Sequence, residues 1–168
     1  MKTLVIGYGN TLRGDDGVGY RLVEALEGLE LGQVECYCCH QLTPELAADL
    51  ARVDRVIFVD ATSPQNPPSP LRLEQIGACS NPNLGMHQAH PAQILALAEN
   101  LYGHSPLAYA LLLPTTHMDY GETLSPIARV GLGQGLRLLQ TLLEQPSASL
   151  LQEGSIPRAT LNPLYNNS

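Results

Sequence analysis

Three features of the sequence predict an α/β fold, with helices on both faces of a mainly parallel sheet. Short apolar runs bounded by turn residues recur along the chain, as strands buried on both faces require. Apolar residues repeat at helical spacing between those runs. The first run also passes directly into a glycine-rich turn and a helix, Val5-Ile6-Gly7-Tyr8-Gly9-Asn10-Thr11-Leu12-Arg13-Gly14-Asp15-Asp16-Gly17-Val18-Gly19. Strands alternating with helices give a three-layer α/β/α domain. In such sheets, sites collect beyond the carboxyl ends of the strands.

Residues 4–6 form the first strand, ended by Gly7. From Val18 the period changes, with Val18, Leu22, Val23 and Leu26 at helical spacing. Asp15 and Asp16 stand just before this helix, where its dipole favours negative charge. Residues 33–39 suit a second strand. A helix is predicted over 44–51, with Thr43 as N-cap and Pro44 at the first helical position. Residues 55–61, Arg55-Val56-Ile57-Phe58-Val59-Asp60-Ala61, read as a strand running into an acid at its carboxyl end. Pro64, Pro67, Pro68 and Pro70 then impose a loop, and 71–76 suits another strand. A helix over 91–101 places Ile94, Leu95 and Ala98 on one face, and 108–113 forms a further buried strand. The last amphipathic helix, 127–143, presents Val130, Leu132, Leu136, Leu139 and Leu143. A single domain therefore spans 1–145, and 146–168, rich in Pro, Ser and Asn without periodicity, reads as a loosely held tail.

With 168 residues the chain suits one domain, and an apolar share of 44% argues against wholesale disorder. A net charge of −7, with only nine Lys and Arg, disfavours nucleic acid and anionic membranes as partners. The apolar run near 107–113 falls short of the roughly 20 residues that a bilayer span needs. The apolar start, Thr3-Leu4-Val5-Ile6, is too short for a signal-peptide core. Cys36, Cys38 and Cys39 crowd together on a strand whose neighbours point to opposite faces, a poor disulfide framework. Reduced thiols in a cytoplasmic, monomeric protein are the expectation.

Glycines after a first strand usually hold an anion, but here the pattern breaks. Gly7 and Gly9 fit a dinucleotide fingerprint, whereas its third glycine position is Leu12. The second strand ends in Cys38-Cys39-His40 rather than an acid, and no phosphate-loop lysine is present. Asp15 and Asp16 would repel a pyrophosphate. They admit two readings: a helix cap, with one carboxylate on backbone N–H groups and the other solvated, or a cation site. Asp60 ends the strand expected beside the first and so emerges on the same rim. His87, in Gly85-Met86-His87-Gln88-Ala89-His90-Pro91, lies on a loop ahead of a helix. Two carboxylates and an imidazole suit zinc, nickel or iron better than magnesium or calcium. His90 would share a metal with His87 only in a continuous helix, which Pro91 opposes. Cys36, Cys38, Cys39 and His40 lack the spacing of a zinc knuckle and read as small core residues beside a rim histidine. His117 and Asp119 follow a strand and can line the same rim. No serine elbow and no cysteine with an evident base are present.

Together these segments resemble the [NiFe] hydrogenase maturation endopeptidases over residues 3–145. The resemblance rests on the Gly7 to Gly19 turn, Val56-Ile57-Phe58-Val59-Asp60-Ala61, His87 ahead of an Ile94-Leu95 helix, and Gly121-Glu122-Thr123-Leu124-Ser125-Pro126. His40-Gln41-Leu42-Thr43-Pro44-Glu45-Leu46 is similar to the branch that serves bidirectional, NAD-linked hydrogenases. The resemblance implies an α/β/α sandwich around a twisted five-stranded sheet. It also implies an endopeptidase that removes the C-terminal peptide of the hydrogenase large-subunit precursor once nickel is inserted. The residues implied to contact that nickel are Asp16, Asp60 and His87, with Asp16 and Asp60 also expected at the catalytic centre. Competing readings are a metal-dependent peptidase of other specificity, a non-catalytic nickel-sensing chaperone, and a nucleotide-binding module.

Overall fold

A computed structural model of the chain describes residues 1–80 and 89–144. The tail expected over 146–168 therefore lies outside the described residues. Five strands form one sheet: β1 (Thr3–Tyr8), β2 (Val34–Cys39), β3 (Arg55–Ala61), β4 (Arg72–Ile76) and β5 (Leu107–Leu113). Their spatial order is β2-β1-β3-β5-β4, parallel throughout except for the antiparallel edge strand β4. All five strands fall where the apolar runs predict them.

Helices cover both faces. α1 (Val18–Glu27) and α4 (Pro126–Glu144) pack over one face, where Leu22, Val23, Ile57, Tyr109, Leu111 and Leu139 are buried together. α2 (Leu46–Leu50) and α3 (Pro91–Tyr102) cover the other, around Ile6, Leu50, Phe58, Ile94 and Leu95. Among the described residues no helix is long and apolar enough to cross a membrane.

Two local expectations need correction. α2 begins at Leu46, not Pro44, and Thr43 makes no side-chain cap; the 44–45 segment is a turn closed by the Ala47 N–H on the Pro44 carbonyl. On α4, Leu139 is buried and Leu132, Leu136 and Leu143 pack half-buried against the core as expected, but Val130 is 42% exposed and the closest stripe is Ala128, Gly131, Gly135, Leu139 and Leu142. Small residues in that stripe bring the helix close. A Cβ on Gly131 would sit 2.7 Å from the Pro114 ring, and one on Gly135 2.7 Å from Leu22.

The same device holds α1 at the sheet. Gly19 lies where a Cβ would overlap the Val59 carbonyl oxygen, one residue before Asp60. The Gly19→Ala change cannot be relieved by rotating a side chain, since the obstacle is backbone. Overpacking outweighs the gain in helix propensity, giving a net loss of about 2 kcal/mol. Urea unfolding checks this: an unchanged midpoint would mean that β3 yields freely.

β1 lies at the point where the chain switches sides, with β2 on one flank and β3 on the other. A crevice opens at such a switch, beyond the carboxyl ends of the two strands. Tyr8 and Asp60 stand there: Gly7 pairs with Val59, so the next residue of each strand meets at the rim.

Candidate active site

From β1 the chain enters the glycine turn. Gly9 adopts a φ of +136° and packs against the Asp16 carbonyl, so close that a Cβ would overlap it. A 3-10 turn, Gly14–Gly17, then carries both acids. Neither acid caps α1 through its side chain, and their fates are opposite.

Asp15 is fully buried. Its Oδ1 accepts the Ser125 N–H at 2.7 Å, and its Oδ2 accepts the Thr116 N–H at 2.8 Å and the Ser125 hydroxyl at 2.7 Å. Burial pushes the Asp15 pKa up, but those donors and the His117 N–H together hold it below the ordinary carboxylate value. The cap reading of this pair is therefore right in kind and wrong in place. Asp15 does bind backbone N–H groups, but those of the 116–125 loop rather than its own helix.

Asp16 is only half-buried and faces the crevice. The Asn10 N–H donates to its Oδ2 at 2.8 Å, and among the described residues Oδ1 has no hydrogen-bond partner. Across the crevice, Asp60 Oδ2 accepts the Tyr8 hydroxyl at 2.7 Å and Oδ1 accepts its neighbour Ala61 N–H at 2.8 Å. The Asp60 pKa is raised, chiefly by burial and further by the Asp16 charge, against the pull of Tyr8, Ala61 and His90. The Tyr8 phenol is pushed up by burial and by Asp60, so it remains a donor.

These groups line a cleft of about 310 Å³ that also includes Arg13, His40 and His90. His87 lies outside the described residues. His90 has extended backbone and precedes Pro91, the first residue of α3, so no continuous helix joins it to His87, as the proline argument requires. Its N–H donates to Gln93 Oε1 at 2.9 Å. Among the described residues, no group of three His, Cys, Asp or Glu is placed to hold a metal ion. Asp16 and Asp60 thus face one cleft as two carboxylates without a third such group beside them among the described residues.

His117 and Asp119 stay out of the cleft. The His117 ring packs behind Gly14, and its backbone serves Asp15. Cys36, Cys38 and Cys39 are half-buried free thiols, pushed up to about 11, about 12 and about 11 by burial first, which makes them poor nucleophiles. Tyr8 carries no sign of a role in its residue type, and the sequence offers His90 only as a partner of His87. The signal for Tyr8 is register, since a residue following Gly7 must lie beside Asp60.

No family model matches the chain. Over 173 aligned residues it is 32% identical to the hydrogenase 2 maturation protease of Escherichia coli K12, covering 96% of this chain and 99% of that protein. The solved structure of the hydrogenase maturating endopeptidase HybD from E. coli matches with a TM-score of 0.66 and 27% identity, over 84% of this chain and 90% of that one. The [NiFe] hydrogenase maturation protease HycI from Thermococcus kodakarensis matches at 0.67 with 17% identity, over 86% and 93%, a likeness of fold.

Proposed function

The chain belongs to the hydrogenase maturation protease family and is an endopeptidase, and on that premise we propose that it removes the C-terminal peptide of a [NiFe] hydrogenase large-subunit precursor after nickel insertion. The observation that carries this reading is the pairing of Asp16 and Asp60 in one cleft, where burial and mutual repulsion raise the Asp60 pKa. A cation brought into that cleft relieves both effects at once. The nickel belongs to the substrate, held by the precursor, and the third contact is His87. An empty precursor lacks the anchor, so cleavage becomes conditional on loading.

The remaining groups set geometry and charge. Tyr8 and the Ala61 N–H fix both oxygens of Asp60, and the Asn10 N–H fixes Asp16. Bound metal contributes charge stabilisation at the peptide under attack. The carboxylates and imidazoles of the cleft are the groups able to take a proton from an attacking water. His40 and Gln41 line the same cleft, and the precursor served is that of a bidirectional, NAD-linked hydrogenase, a reading supported by the resemblance of the segment they begin. The protein is expected to act in the cytoplasm as a monomer.

Incubation with nickel-loaded precursor, followed by intact-mass measurement, checks the reaction. A loss equal to the C-terminal peptide supports it. A stable complex of unchanged mass would favour the chaperone reading, and neither complex nor cleavage would favour a peptidase of other specificity.

A further inference from the structure

The 3-10 turn that carries Asp16, and the strip leading into it, are fastened to the loop between β5 and α4 through Leu12, Arg13, Gly14 and Asp15. The Gly14 N–H donates to the Gly121 carbonyl at 2.7 Å, the Gly121 N–H to the Leu12 carbonyl at 2.8 Å, and the Asp15 N–H to the His117 carbonyl at 3.2 Å. Arg13 and Gly121 form a parallel bridge, the Arg21 guanidinium donates to the Glu122 carbonyl, and Asp15 clamps Thr116 and Ser125. A loop held this firmly fixes whatever it displays. It displays Tyr120, 89% exposed, directly beside the strip carrying Leu12, 43% exposed. Leu12 is itself set by its N–H on Asn10 Oδ1. Arg13, the next residue, lines the cleft and makes no ion pair among the described residues.

An aromatic ring left in water on a rigid backbone, beside a guanidinium without an ion pair among the described residues, matches the composition of protein-interface anchors, and Leu12 adds apolar area next to it. Loose display would forfeit affinity to ordering entropy, and the clamp removes that loss. We propose that Leu12 and Tyr120 form the docking surface for the folded body of the substrate, resting on the reading of this site as a precursor-processing cleft. The partner surface is apolar where it meets Tyr120 and Leu12 and carries an acidic group for Arg13. Position argues for this occupant: the strip runs without a break from Leu12 through Arg13 into the cleft that holds Asp16. A protein whose terminal peptide enters the cleft must lay its body across that lip.

The test uses Tyr120→Ser and the double change with Leu12→Ser, with nickel-loaded precursor as the probe. Both precursor binding and processing are measured. Tyr120 makes no hydrogen bond within the described residues, so its replacement leaves the fold intact. The double variant is expected to raise KM and Kd together by roughly 10- to 30-fold with kcat at saturation unchanged, and Tyr120→Ser alone by at least about threefold. Values within about twofold of the unmodified protein, which itself binds and cuts, would overturn the docking surface and leave the peptidase reading intact. The same would follow if Tyr120→Ser converted a dimer into a monomer without altering KM. Unmodified protein that binds but never cuts would sink the peptidase reading instead, and the binding constants alone would then decide the surface.

Discussion

Replacing Asp15 by Ala is expected to destabilise the fold by about 3–5 kcal/mol, through three donors stranded at once, two of them buried. The buried Ser125 N–H and hydroxyl and the part-buried Thr116 N–H would all lose their acceptor. The damage extends to α4, because Ser125 Oγ also accepts the Ala128 N–H at 3.2 Å as that helix's N-cap. Ser125→Ala removes the hydroxyl alone and is expected to cost about 1 kcal/mol. The pH dependence has a definite sign. The folded-state pKa of Asp15 is depressed, so its contribution is present above the ordinary aspartate value and is lost as pH falls through the folded value. The gap between Asp15→Ala and the unmodified protein should therefore be widest near neutrality and close in strong acid. Equal urea midpoints at neutral pH would show that the carboxylate carries no such load.

Asp60→Asn is expected to behave in the opposite way: precursor processing falls by roughly 100-fold or more while the fold gains stability at neutral pH. The folded-state pKa of Asp60 is raised, so its stabilising contribution is present in acid and is lost as pH rises through that value. An amide of the same shape removes the burial penalty on the charge and its repulsion by Asp16. Its Oδ1 still accepts the Ala61 N–H, while its Nδ2 donates to the Tyr8 oxygen with the roles of that pair reversed. Processing by the unmodified protein should also show an acid limb above the ordinary aspartate value. Asp16→Asn should move that limb to lower pH in whatever activity remains, because it removes the Asp16 charge. A loss of stability in Asp60→Asn comparable to that of Asp15→Ala would mark Asp60 as a structural tie rather than a functional carboxylate.

How much of this was legible depends on how local each feature is. The apolar run ending in Asp60 identifies β3 and its rim without help, because burial on both faces leaves no polar interruption. On α4 only Val130 departs from its expected place, because Gly131 and Gly135, which make the closest approach, carry no hydrophobic signal at all. Asp15 and Asp16 are the same residue type in adjacent positions, and nothing local says which one turns inward. The decision is made by Thr116 and Ser125, about a hundred residues away. Tyr8 and His90 reach the cleft through strand register and a helix start, which only the assembled sheet displays.

The central claim is that the paired carboxylates read the substrate's nickel. Its most direct test compares the processing rates of nickel-loaded and nickel-free precursor by the unmodified protein and by Asp16→Ala, Asp60→Ala and His87→Ala, each followed by intact mass. The account predicts loss of the C-terminal peptide only from loaded precursor and only with the unmodified protein. Equal cleavage of the nickel-free precursor, or unmodified rates in all three variants, would contradict it.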